Sequence, residues 1–239
     1  MMKLIGLISP NLTEDTLEDV YKVFPPGIRI EGRTLKVGKY TDDEFHRAEL
    51  MFADLVRDLA RHPLDFLMIT GELFLSYKGP GSDLDILDLV KTITAVPAST
   101  VLTAVVRGCR ALGLKRIVMA SPFPEDQDER LVKFLAHYGI DVVAFHGLGC
   151  PNADVIWELP PGSGYDLAAS LLREYPDVDG IYMPCNKWRI VSVIDRIEKD
   201  HGKPVVSNTQ AWVWEALRLM NMATPIPGYG RLLSESKTI

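Results

Sequence analysis

KLIGLISP, at residues 3–10, returns roughly half the chain later as KRIVMASP at residues 115–122. Each is a short apolar run that opens on a lysine and stops at Ser-Pro, the pattern of a buried strand ending in a loop. Two further pairs follow in the same order. LDFLMITG at 64–71 is echoed by VDGIYMPC at 178–185, and PAST at 97–100, followed by Ala104, is echoed by PVVS at 204–207, followed by Ala211. Strand-to-loop junctions resemble one another, so one pair alone means little. Three in one order read as a duplicated βα unit.

Working outward, apolar β-branched runs alternate with helix-period segments, the mark of a parallel sheet. Strands are expected at 4–8, 66–69, 116–120, 141–144, 180–183 and 204–206. Helices are expected at 42–61, 98–112, 126–137, 165–174, 189–200 and 209–219. In the first of these helices Phe45, Phe52, Leu55, Val56 and Leu59 share one face. The expected fold is α/β: two pseudo-symmetric, parallel-sheet, flavodoxin-like halves with helices on both faces and a cleft between them. The first half takes 1–96 with 212–239 and the second 97–211. The segment after Pro225 reads as a loosely held terminus.

Ligands of parallel α/β sheets sit beyond the carboxyl ends of the strands. The strand ends here are Ser9-Pro10, Thr70-Gly71-Glu72, Ser121-Pro122-Phe123, Pro184-Cys185-Asn186 and Ser207-Asn208. They supply a thiol, a carboxylate, hydroxyls, amides and loop N–H groups, a set suited to an anionic substrate.

Composition sets limits. The 239 residues carry 47% hydrophobic and 24% charged side chains and a net charge of −6. That balance fits a globular protein and argues against nucleic acid as a partner. The N-terminal apolar run is too short for a membrane span and has no cleavage-site pattern, so no membrane partner and a cytoplasmic location are expected. Cys109, Cys150 and Cys185 form no CxxC pair, and the five histidines form no HxxxH or HExxH pair. With no phosphate loop or dinucleotide fingerprint either, no metal and no cofactor are expected.

The chain resembles the aspartate/glutamate racemase superfamily, and within it the branch of arylmalonate decarboxylase and maleate cis–trans isomerase. The resemblance is carried by IGLISPN at the start, ITGELFLSYKG at 69–79, VPASTVLTAVVRGCRALGLKRIVMASPF at 96–123, EDQDERLVKFL, GIYMPCNKWR at 180–189 and GKPVVSNTQAWVWEALRL at 202–219. Racemases of the superfamily use two cysteines, one per half. This sequence has Cys185 at the second-half position and Gly71 at the first. The resemblance therefore implies a single thiol that protonates an enediolate after carbon dioxide has left. It also implies hydroxyl donors after the glycine and a tyrosine in the second half, where this chain has Glu72, Leu73 and Phe123. On those residues the arylmalonate substrate itself lacks support.

Cys185 is the candidate catalytic residue, its ordinary alternative being a buried small hydrophobe. A helix start or the following Lys187 and Arg189 would lower its pKa. Cys109, mid-helix, and Cys150, in a Gly-rich loop, read as packing residues. Glu72 is either a solvated helix cap or a second acid/base facing Cys185. Pro10, Asn11, Thr70, Gly71, Leu73, Ser121, Phe123, Asn186, Ser207 and Asn208 are the candidate substrate contacts, although Ser, Thr and Asn at such junctions ordinarily cap their own helices.

The leading expectation is a cofactor-independent carbon-acid enzyme on a small carboxylate, with decarboxylation first. An isomerase or racemase using Cys185 with Glu72 is second, and a non-catalytic carboxylate-binding protein third. Homo-oligomerisation is left open.

Overall fold

The computed structural model describes residues 2–13, 17–222 and 224–235. Two four-stranded parallel sheets form the frame, each with the same strand order. The first runs β2 (Ile28–Thr34), β1 (Lys3–Ser9), β3 (Phe66–Ile69), β4 (Ala98–Thr100); the second runs β6 (Asp141–Gly147), β5 (Arg116–Ser121), β7 (Gly180–Met183), β8 (Val205–Ser207). The two-half α/β architecture expected from the repeats is the one observed.

Each repeated motif does the same job in both halves. Asp65 Oδ2 accepts from the backbone N–H of Leu4 at 2.9 Å, and Asp179 Oδ2 accepts from that of Arg116 at 2.7 Å, so each aspartate fastens the start of a central strand. Pro97 and Pro204 place their carbonyls against the N–H groups of Leu67 and Ile181. Thr100 and Ser207 then cap the next helices, accepting from the N–H groups of Thr103 and Gln210. These caps satisfy N–H groups that a helix start otherwise leaves open.

The helices close the faces of the sheets. α2 (Asp42–Leu59) starts at its Thr41 cap and buries Phe45, Ala48, Phe52, Val56 and Leu59 along one stripe. α5 (Val101–Ala111) and α10 (Asn208–Leu219) pack together, with Glu215 fully buried between them. Its carboxylate accepts from Ser99 Oγ of β4 at 3.2 Å, from Arg107 of α5, and from Arg218 at 2.9 and 3.0 Å. In the second half α6 (Glu125–His137) and α8 (Gly164–Glu174) cover β5 and β6.

Several expectations need correction. β2 and the three-residue β4 were not expected. Since β4 pairs with β3, the first sheet runs to Thr100, beyond the boundary drawn at 96/97, and α5 starts at Val101. The helix expected from 189 starts only at Ile194 as α9 (Ile194–His201), after one 3₁₀ turn at Val191–Val193. The segment after Pro225 is not loose within the described residues. Leu232 and Leu233 of α11 (Arg231–Ser234) are buried, the Arg231 N–H donates to Glu198 Oε2 at 2.8 Å, and Gln210 Nε2 donates to the Tyr229 carbonyl at 2.7 Å. Residues 236–239 lie outside the described residues.

Candidate active site

The carboxyl ends of β1, β3, β5 and β7 converge on a cavity of about 530 Å³, counted with its open mouth. β3 ends in Gly71, whose φ of +98° lies in the left-handed region; α3 (Glu72–Ser76) begins at the next residue. β7 ends two residues before Cys185, which holds a left-handed φ of +82° without being glycine. A non-glycine residue in that region costs about 1–2 kcal/mol. The surrounding fold imposes the cost and thereby directs the side chain into the cavity.

Across from the thiol, Gly71 presents no side chain. A Cβ built there would lie 2.0 Å from Cγ of Pro10, the residue after β1, so Pro10 fills the space that a first-half side chain would need.

Cys185 is only 8% exposed. Burial raises its pKa well above the usual thiol value, and the charge of Glu72 adds to the effect. The N–H groups of Lys187 and Trp188 and the ammonium of Lys187 oppose it with less weight. The thiol is thus held protonated, the reverse of the lowering expected from its neighbours in sequence, since no helix starts behind it. Cys109 is in the core with its thiol pushed up to about 12, and Cys150 is buried and also raised.

Glu72 is 4% exposed and lines the same cavity, so it is not a solvated cap. Burial pushes its carboxyl up to about 7, against the lowering influence of its own N–H, the Asn208 amide and the Cys185 N–H. Of the other expected contacts, Pro10, Asn11, Thr70, Gly71, Leu73, Phe123 and Asn186 line the cavity. Both polar atoms of the Asn186 side chain are buried without a hydrogen-bond partner, which suits a ligand contact.

Three expected contacts are placed elsewhere. Ser207 is consumed by a reciprocal capping box with Gln210, and Ser121 Oγ accepts from the Phe123 N–H at 2.9 Å. Asn208 is fully buried behind Glu72, its Oδ1 accepting from the Tyr182 hydroxyl at 2.8 Å.

The structure also brings in residues that sequence reading missed, Tyr40 above all. Backbone bonds from Leu35 N–H to the Ser9 carbonyl (2.9 Å) and from Val37 N–H to the Pro10 carbonyl (2.8 Å) carry the chain from β2 past the end of β1. Val37 and Tyr40 thereby reach the cavity. The Tyr40 ring meets Phe123 edge-on, with centroids 5.6 Å apart, so a first-half aromatic closes on a second-half one. Burial and the nearby Cys185 and Glu72 push its hydroxyl pKa far up, which keeps it a hydrogen-bond donor. Phe45, Phe74 and Ala153 add apolar wall, and Lys187 lies at the polar end with Nζ 2.9 Å from Thr13 Oγ1.

Comparison with known proteins agrees with this geometry. The sequence model of the arylmalonate decarboxylase family matches residues 5–233. The arylmalonate decarboxylase of Bordetella bronchiseptica is 28% identical over 233 residues, 97% of each chain. A liganded double variant of arylmalonate decarboxylase superposes with a TM-score of 0.90 at 26% identity, over 98% of this chain and all of that one. The maleate cis–trans isomerase of Nocardia farcinica, as a variant bearing a covalent succinylcysteine, superposes with a TM-score of 0.87 over 99% of this chain and all of that one; at 16% identity this shares the fold. With one thiol at a paired strand end and a family match over almost its whole length, the chain belongs to the arylmalonate decarboxylase family.

Proposed function

We propose that the protein removes carbon dioxide from a substituted malonate and that Cys185 returns a proton to the resulting carbanion. The reading rests above all on one observation: a buried thiol, which burial favours in its protonated form, faces the cavity from one half while the other half offers a glycine. A proton donor must hold its proton at neutral pH, whereas a nucleophilic cysteine must lose it.

In this reaction the bond between the α-carbon and one carboxylate breaks and carbon dioxide leaves. The electron pair moves onto the α-carbon and the remaining carboxylate as an enediolate. The Cys185 S–H bond then breaks, its proton forms the new C–H bond, and solvent reprotonates the thiolate. The apolar wall of Val37, Phe45, Phe74 and Ala153 suits the departing carboxylate, whose charge is poorly solvated there and leaves it as carbon dioxide forms. Donors aimed at the other carboxylate stabilise the charge as it grows. We assign that role to Tyr40 and Asn186, which line the cavity.

A second reading has one observation in its favour: Glu72 shares the cavity with Cys185 and is pushed up to about 7, in the range of a working acid/base. Glu72 would then move a proton on the opposite face in a racemase or isomerase. An α-alkyl-α-arylmalonate and, separately, a chiral α-aryl carboxylate, each incubated in deuterated water, separate the two. Release of carbon dioxide with one deuterium in a product of single configuration supports the decarboxylase. Exchange into an unreacted chiral carboxylate from both faces, with no gas released, overturns it in favour of the second reading.

A further inference from the structure

The Glu72 carboxyl stands among converging donors from both halves. Its own N–H, the side-chain amide of Asn208 and the N–H of Cys185 all favour negative charge at that point. Tyr182 orients one of them: by donating to Asn208 Oδ1, it leaves the buried Nδ2 of that amide without a partner. Oε1 of Glu72 is likewise buried with no hydrogen-bond partner. The donors therefore surround the carboxyl without closing on it. Converging N–H groups in a dry site form an anion cradle, and here a side chain of the protein itself occupies it.

We propose that Glu72 determines what the site accepts: a small carboxylate enters the cradle only beside the neutral form of Glu72, so binding takes up one proton. The proposal rests on the reading above in that the ligand is a carboxylate. Two like charges sharing one buried site cannot both persist, and one of them holds a proton. The protonated Glu72 then donates to an oxygen of the ligand, taking the place of a hydroxyl.

Among the described residues, none supplies Glu72 with a neutralising cation of its own. Tyr40, Tyr182 and Cys185 face it, and all three are held protonated. On the helices packed against α3, charged groups are engaged elsewhere. Asp83 of α4 (Ser82–Ile93) binds the Thr103 and Tyr138 hydroxyls at 2.6 Å each and Arg107 of α5 is on Glu215, while Asp128 of α6 is a buried carboxyl that burial likewise raises to about 7. Lys187 lies on the Cys185 side, its charge acting on the thiol.

The test is calorimetric titration of phenylacetate, a product-like anion that is not consumed, into the full chain between pH 5.5 and 8.5 in two buffers of different ionisation heat. Wild type is expected to lose affinity by about tenfold per pH unit above neutrality and to take up close to one proton per ligand at pH 8. Glu72→Gln is expected to bind with a flat profile and no proton uptake. A flat wild-type profile overturns the proposal even if the variant fails to fold, and so does an absence of binding at every pH. If binding follows the expected profile but no arylmalonate releases carbon dioxide, the inference stands and the decarboxylase reading falls. If gas is released and binding is flat, only the inference falls.

Discussion

Gly71 and Cys185 hold the same left-handed backbone, φ +98° and +82°, at the ends of the equivalent strands β3 and β7. The fold demands this conformation at both places. In one half it is met by the residue suited to it, and in the other by a residue that the conformation strains but the chemistry needs.

That strain can be measured. Cys185→Gly is expected to be more stable than Cys185→Ala by about 1 kcal/mol in urea unfolding, because only glycine relaxes in the left-handed region. At ordinary positions the order is reversed. Gly71→Ala is expected to lose about 1–3 kcal/mol, since its Cβ would drive Pro10 aside, and Pro10→Ala in the same chain should recover part of it.

Removal of the thiol should separate stability from turnover. Cys185→Ala is expected to lower carbon dioxide release from an arylmalonate by about 10²–10⁴-fold, the usual cost of a lost proton-transfer group. Cys109→Ala and Cys150→Ala should retain turnover. Alkylation by iodoacetamide should be slow at pH 7 in the folded chain, because Cys185 is buried and held as the thiol. Rapid labelling of Cys185 at that pH would contradict its protonated state.

Tyr40→Phe tests the aromatic contributed by the first half. Its hydroxyl makes no hydrogen bond among the described residues, so unfolding should be unchanged within about 0.5 kcal/mol. If the hydroxyl donates to the enediolate, kcat should fall by about 10- to 100-fold, in the manner of a lost oxyanion donor. A variant with full kcat would limit Tyr40 to packing against Phe123.

Stability should fall as pH rises. Burial raises both Glu72, from 4.5 to about 7, and Asp128, from 3.8 to about 7. Each keeps its proton longer in the folded chain than in the unfolded one. The folded state thus binds more protons between pH 4 and 7, and the stability these groups give at low pH is lost as pH climbs through about 7. Glu72→Gln and Asp128→Asn should each flatten the decline in unfolding free energy between pH 5 and 8. A wild-type stability that rises over that interval, with no change of slope in either variant, would refute both shifts.

Prolonged dialysis against a chelator is expected to leave turnover unchanged, because hydrogen-bond donors can stabilise an enediolate. Loss of turnover restored by a divalent ion would assign the charge stabilisation to a metal instead.

The repeats in the sequence were enough to read the two-half frame and the strand end carrying Cys185, because the same physical tasks recur: an aspartate fastening a strand start, a proline carbonyl pairing across the sheet, a hydroxyl capping a helix. β2 was hidden because IRIEGRT mixes charges into a half-exposed edge strand, and β4 because three residues merge into the helix they precede. Tyr40 could not be read at all. Its place depends on backbone bonds between residues 35–37 and the end of β1, and those leave no mark in side-chain pattern. Ser207 and Ser121 were drawn toward the site because a hydroxyl at a strand end looks alike whether it meets a ligand or the backbone.

The contacts around Gln210 also order events in time. Gln210 completes the capping box that starts α10, next to Asn208, and its side-chain nitrogen is held by the Tyr229 carbonyl. Gly230 presses against Gln210, Ile194 and Glu198, with no room for a Cβ. During synthesis on the ribosome, Asn208 emerges well before this clasp. Both sheets can therefore be paired, and Asn208 can meet Tyr182 of β7, before the start of α10 is braced from the C-terminal segment.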